Sequence, residues 1–137
     1  MIAGPRNPVR RLASHGLGLA QRGLDALLRA RLGAVGLIRG ADPATAKLAP
    51  TLEQQCAFMF RHMRQVAEAG GATVEDIIKV TVWMQELARK PVNDEWVKMF
   101  PDPAARPARQ IIEAPMEPGV LVQCDFMAVI DPDGTRR

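Results

Sequence analysis

The chain has no tyrosine, and phenylalanine and tryptophan together supply only 4% of its 137 residues. Leucine, isoleucine, valine and methionine must therefore fill whatever core it builds, and no phenolic hydroxyl is available to any pocket. Cysteine and histidine are scarce as well: Cys56, Cys124, His15 and His62 are all there is. None of the four stands at metal-ligand spacing from another, so no metal site is expected. Both cysteines read as buried free thiols suited to a reducing cytoplasm. No apolar run reaches the length of a membrane span, so the chain reads as soluble and without a membrane partner. At this length, with 47% hydrophobic residues, there is material for one core rather than two.

Charge is unevenly spread. Residues 1–50 carry eight Lys or Arg against two acids, whereas residues 51–137 carry ten against thirteen, so +6 and −3 combine to the overall +3. A basic stretch attracts phosphate. The first fifty residues nevertheless contain no aromatic side chain to stack on a base, and no RNA-binding motif occurs, so nucleic acid is disfavoured as a partner.

Hydrophobic periodicity lays out the elements. Leu52, Cys56, Met59, Met63 and Val66 recur at steps of three and four, which predicts a helix over 51–70 with Thr51 as N-cap and Gly70 as the C′ stop. The methionines on that stripe read as core packing. Ile77 to Met84 is short and β-branched, as a buried strand should be. Pro91 suits the first turn of a second helix reaching about Phe100 with Val92, Trp96 and Met99 inward, and Pro101, Pro103 and Pro107 end it. Leu17 to Arg31 also reads as a helix. The order strand, helix, strand, helix, strand, strand predicts an α+β domain with helices on one face of a mixed sheet.

The chemistry concentrates near the C-terminus. Alternation over 120–129 sends Leu121, Gln123, Asp125, Met127 and Val129 to one face and Val120, Val122, Cys124, Phe126 and Ala128 to the other. The second set is wholly apolar and must be core. Gln123 and Asp125 then share a face that is either wet or covered by another subunit, where they would need partners. Arg109 opens the preceding strand, and its planar guanidinium can fix a small carboxylate through two parallel hydrogen bonds.

The segment Pro107-Ala108-Arg109, with the strand behind it, resembles the signature of the Rid (YjgF, endoribonuclease L-PSP-like) family of enamine/imine deaminases. Asp42-Pro43-Ala44-Thr45-Ala46-Lys47-Leu48, Thr51-Leu52-Glu53-Gln54-Gln55, the run from Ala69 to Val82 and Val92-Asn93 extend the likeness in family order over about residues 33–131. The resemblance implies a chorismate-mutase-like fold and a homotrimer whose sheets close into a central barrel with a site at each subunit interface. It implies hydrolysis of small carboxylate-bearing enamines or imines, of the 2-iminobutanoate and 2-iminopropanoate type, to 2-oxo acids and ammonia, with no cofactor and no metal. In that reading Arg109 holds the carboxylate, the backbone near Ile111 faces the ligand, and Gln123 stands at the position of the family's water-orienting glutamate. An amide can orient water but cannot take its proton. Asp125, matching a second acidic position, is the candidate for assisting proton transfer.

The alternatives are a metabolite-binding trimer without catalysis and an endoribonuclease or translation inhibitor of the L-PSP type. The domain division expected is a divergent basic segment over 1–32, a Rid-like domain over 33–131 and a tail over 132–137. Val35-Gly36 stands where the family has Ser-Gly. The basic segment is open to three readings: a divergent structural element, which we favour, a transit-type extension, or a misread frame.

Overall fold

A computed structural model of the chain describes residues 32–130, with side chains from residue 37 onward. The expected helix over Leu17–Arg31, His15, the readings of the basic segment and the tail over 132–137 lie outside the described residues. Six elements follow in the expected order: β1 (Leu32–Arg39), α1 (Leu52–Ala69), β2 (Ile77–Met84), α2 (Arg89–Met99), β3 (Ala108–Glu113) and β4 (Val122–Val129). The sheet order is β1-β4-β2-β3, with β4 antiparallel to β1 and to β2, and β3 parallel to β2. Both helices pack on one face of this mixed α+β sheet.

Helix α1 starts where Thr51 accepts a hydrogen bond from the Gln54 amide at 3.2 Å. Its end corrects the sequence expectation by one residue. Gly70 is still right-handed, and it is Gly71, at φ +85°, that takes the left-handed C′ position. The Gly71 amide bonds to Glu68 and the Ala72 amide to Ala67, a Schellman closure that caps two otherwise orphaned carbonyls. Helix α2 begins at Arg89, two residues before Pro91, which still lies in the first turn where an absent N–H costs nothing.

The core lies between the helices and one sheet face. Met59, Met63 and Val66 of α1 and Val92 and Trp96 of α2 meet Val80, Val82, Met84, Val122, Cys124, Phe126 and Ala128. Phe60, Trp96 and Phe100 form the aromatic part, with ring centroids 6.5 and 4.6 Å apart along the series. Methionine and small aliphatics fill the rest, as the shortage of aromatics requires. Both cysteines are buried and free, and burial pushes the Cys56 thiol up to about 12, with the charges of Glu95 and Glu53 adding to the shift. Neither behaves as a reactive thiol. No helix among the described residues is long and apolar enough to cross a membrane.

One buried amide ties three segments together. Gln55 donates to the carbonyls of Ala49 (2.8 Å) and Gly119 (2.9 Å) and accepts from the Leu121 amide (3.0 Å). It thereby holds the turn Glu117–Val120, where Gly119 at φ +82° follows Pro118 in a type II geometry closed by a 3.0 Å bond from Val120 to Glu117. His62 does a similar job for the loop after β1, its Nε2 donating to the Ala41 carbonyl at 2.7 Å.

Replacing Gln55 with leucine leaves three backbone groups without their partner in a dry site. The expected loss is about 3 kcal/mol or more in denaturant unfolding at unchanged m-value. A loss below about 1 kcal/mol would mean that water or relaxation replaces the amide.

Candidate functional site

Strand register decides where each polar group goes. Val80 of β2 is paired with Arg109 of β3 on one side and with Phe126 of β4 on the other. Directly paired residues project to the same face of a sheet, so Arg109 lies on the helix-bearing face. Thr81, one residue on, is paired with Gln110 and with Asp125, and Trp83 with Ile112 and with Gln123. These lie on the opposite face, which carries no helix among the described residues. Arg109 and the pair Gln123/Asp125 are therefore separated by the sheet itself within one chain.

Arg109 sits on an edge strand, exposed at its outer side. Its guanidinium carbon lies 4.7 Å from the centroid of the Trp96 ring of α2, a cation–π contact of about 0.5–1 kcal/mol that fixes the side chain against the helix. None of the ion pairs among the described residues includes it. Desolvation lowers its pKa, and the neighbouring charges of Arg89 and Arg106 lower it further. A guanidinium keeps its proton regardless, so the meaning of the shift is local: uncompensated positive charge that an anion would relieve. Ile111, on the same face two residues along, packs its side chain against the core. Because β3 is the edge of the sheet formed by the described residues, its backbone groups that point away from β2 meet no further strand among them.

On the other face the alternation of β4 is as expected, with Val122, Cys124, Phe126 and Ala128 buried and Gln123, Asp125, Met127 and Val129 half-buried. Thr81, paired with Asp125 across the strands, supplies the polar backbone and side-chain groups that favour the ionised carboxylate. Burial nonetheless raises the Asp125 carboxyl above the ordinary value, Thr81 and the charge of Lys79 only partly offsetting it. Gln123 has a partner that sequence reasoning missed. The Nε of Arg39 donates to its Oε1 at 3.3 Å, and Nη1 of the same guanidinium meets Glu117 Oε2 at 3.0 Å.

A β-bulge brings Arg39 there. Register runs Val35↔Phe126, then Ile38↔Cys124 and Arg39↔Gln123, so Gly36 and Leu37 together oppose Asp125. Leu37 takes φ +61°, a left-handed conformation costly for a leucine, and leaves its side chain exposed. Without the extra residue Ile38 would face Gln123. With it, Ile38 enters the core and Arg39 joins the polar face. Nothing local in the sequence marks the extra residue, apart from the glycine at position 36.

A groove of about 200 Å³ between α1 and α2, lined by Phe60, Arg61, Arg64 and Lys98 among others, holds none of Arg109, Gln123 or Asp125. The described residues contain no group of three His, Cys, Asp or Glu side chains placed to hold a metal ion.

The arrangement is thus a mixed-sheet α+β domain with a guanidinium on one edge that stacks on Trp96 and has no acidic partner among the described residues, and a polar cluster of Arg39, Gln123 and Asp125 on the opposite face. Comparison with known proteins agrees with that class. The sequence profile described as endoribonuclease L-PSP matches residues 35–130, and the chain belongs to this family, which includes the Rid and YjgF proteins. Reactive intermediate deaminase A of the Arabidopsis thaliana chloroplast is 30% identical over 95 residues, covering 67% of this chain and 49% of that protein. A RutC family protein of Aquifex aeolicus is 27% identical over 88 residues, covering 61% and 70% respectively. The chain therefore spans about half the length of the plastid relative. Among solved structures, a Thermotoga maritima protein superposes with a TM-score of 0.66 at 27% identity, over 74% of this chain and 80% of that one. RidA from an Antarctic Psychrobacter gives 0.67 at 22% identity, over 73% and 81%, a likeness of fold.

The raised Asp125 carboxyl carries a sign. With a folded-state value above the unfolded one, ionisation costs the folded chain more than the unfolded chain, so stability falls as pH rises through the raised value. Asp125→Asn removes that loss. Denaturant unfolding between about pH 3.5 and about pH 7 should show the asparagine variant gaining on wild type as pH increases. A gap that stays flat, or widens toward wild type, would contradict the raised carboxyl.

Proposed function

We propose that this chain is a deaminase of reactive intermediates, hydrolysing small carboxylate-bearing 2-imino acids, or the enamines that tautomerise to them, to 2-oxo acids and ammonia. The observation that carries the reading is Arg109: a guanidinium pinned over Trp96, crowded by Arg89 and Arg106, and paired with no acid among the described residues. Such a group is ready to receive a carboxylate bidentately and to set the orientation of the carbon beside it. Backbone groups of the β3 edge near Ile111 would complete the anchor.

The reaction adds water across C=N and expels ammonia. Gln123 is assigned the orientation of that water. A guanidinium only donates, so the amide oxygen faces Arg39 and keeps one lone pair to accept a water proton. Asp125, its carboxyl raised by burial, is the group on that face able to relay a proton. Imines hydrolyse readily, so a held carboxylate and an aligned water suffice for acceleration without a strong base.

Arg109 and Gln123 lie on opposite faces of one sheet, and a complete site therefore draws them from different copies. Self-association, as the homotrimer with a central barrel, is part of the proposal. It gives the helix-free face its cover. The cytoplasm is the compartment we assign, on the strength of the two buried free thiols.

A second reading, metabolite binding without turnover, is favoured by one specific observation. The Gln123 oxygen is already engaged by Arg39, and no carboxylate occupies position 123. The assay that separates the two generates imino acids with an amino-acid oxidase and follows their disappearance. We expect wild-type acceleration, a loss of about a hundredfold or more in kcat/KM for Arg109→Ala, and a rise for Gln123→Glu. Binding of 2-oxobutanoate with no acceleration would establish the non-catalytic reading instead.

A further inference from the structure

We propose that Arg39 is a second carboxylate anchor, and that the substrates favoured by this chain are dicarboxylic 2-imino acids, the imines related to aspartate and glutamate, rather than the small monocarboxylic ones. The inference rests on the reading that Arg109 takes the 1-carboxylate and that position 123 faces the reacting carbon.

Three observations converge on Arg39. The first is its placement: the bulge at Gly36 and Leu37 reverses the side-chain parity of β1, so that a guanidinium rather than Ile38 stands beside Gln123. Bulges of this kind re-aim side chains next to sites, and a left-handed leucine persists only where surrounding structure holds it. The second is its fixation, since Nε is tied to Gln123 at 3.3 Å and the side chain is only 25% exposed. The third is its counter-ion. Glu117 is 71% exposed at the tip of the Pro118–Gly119 turn and meets Nη1 at 3.0 Å. Exposed pairs of that kind are weak, and a ligand carboxylate held at its other end can displace the glutamate without leaving Arg39 unpaired.

The neutral residue at position 123 fits the same picture. A carboxylate there would neutralise Arg39 from the substrate side, whereas an amide fixes the guanidinium and leaves its charge for the ligand. Arg39 forms no covalent bond. The balance remains water plus C=NH giving C=O plus ammonia, with the distal carboxylate unchanged.

The test uses the stable products as probes. The whole chain, in the oligomeric state it adopts, is titrated calorimetrically with 2-oxobutanoate and with 2-oxoglutarate. Wild type should bind the dicarboxylate about tenfold more tightly, the expected yield of one charge-assisted carboxylate contact. Arg39→Gln should erase that preference and leave 2-oxobutanoate affinity unchanged. Glu117→Gln, which removes the competing carboxylate, should strengthen 2-oxoglutarate binding alone, a response that loss of a merely structural ion pair would not give. Equal affinity of wild type for the two acids, an equal loss of both in Arg39→Gln, or weakened dicarboxylate binding in Glu117→Gln overturns the proposal. If the two acids bind equally and Arg109→Ala abolishes both, the 1-carboxylate anchor survives and only the second anchor falls. If Arg109→Ala alters neither, or neither acid binds, both fall together.

Discussion

Register across β2 sorts the chemistry of this domain. Val80 and Thr81 are neighbours in sequence, yet pairing places Arg109 beside the first and Asp125 beside the second, on opposite sides of the sheet. Pleating leaves no freedom in that assignment, because a one-residue slip would also turn Phe126 and Val82 out of the core. Burying Val80, Val82 and Phe126 therefore holds the guanidinium and the polar pair apart within a protomer. Any site that uses both must be assembled between protomers, and the fold of a single chain then supplies two half-sites rather than one whole one.

Each of the two clusters is charged or polar in a way the described residues do not fully satisfy. On the helix-bearing side, Trp96 orients Arg109 but does not neutralise it, and Arg89 and Arg106 add to the positive field. On the other side, burial raises the Asp125 carboxyl despite Thr81 beside it, and Arg39 is balanced by an exposed glutamate. Gln55 fixes the Glu117–Val120 turn, that turn presents Glu117, and Glu117 meets the guanidinium that touches Gln123. A buried amide at the start of α1 is linked in this way to Gln123 on β4.

What could be read from the sequence was what depends on short range. Alternation in β4, the apolar stripe of α1 and the β-branched run of β2 each announce their buried face within a dozen residues, and the strand–helix order follows. The C-cap of α1 was misplaced by one residue because Gly70 and Gly71 are equally permissive in sequence, and only the Schellman bonds of Gly71 and Ala72 choose between them. The candidate site was legible as residue types and as faces within one strand. That Arg109 and Gln123 fall on opposite faces depends on the relative register of β3, β2 and β4, which no local pattern encodes. Arg39 was hidden for the same reason: 84 positions separate it from Gln123, and its orientation hinges on a bulge. The Arg109–Trp96 contact likewise joins an edge strand to a helix face.

In the proposed assembly, Arg109 of one copy and position 123 of another serve a single site. Co-assembly of two disabled variants tests it most directly. Arg109→Ala and Gln123→Ala, each inactive toward oxidase-generated imines when pure, are unfolded, mixed in equal amounts and refolded together. Shared sites predict recovery of about a quarter of wild-type activity per chain, the fraction of interfaces at which random mixing pairs an intact arginine with an intact glutamine from the neighbour. A mixture as inactive as its components would contradict a site shared between copies.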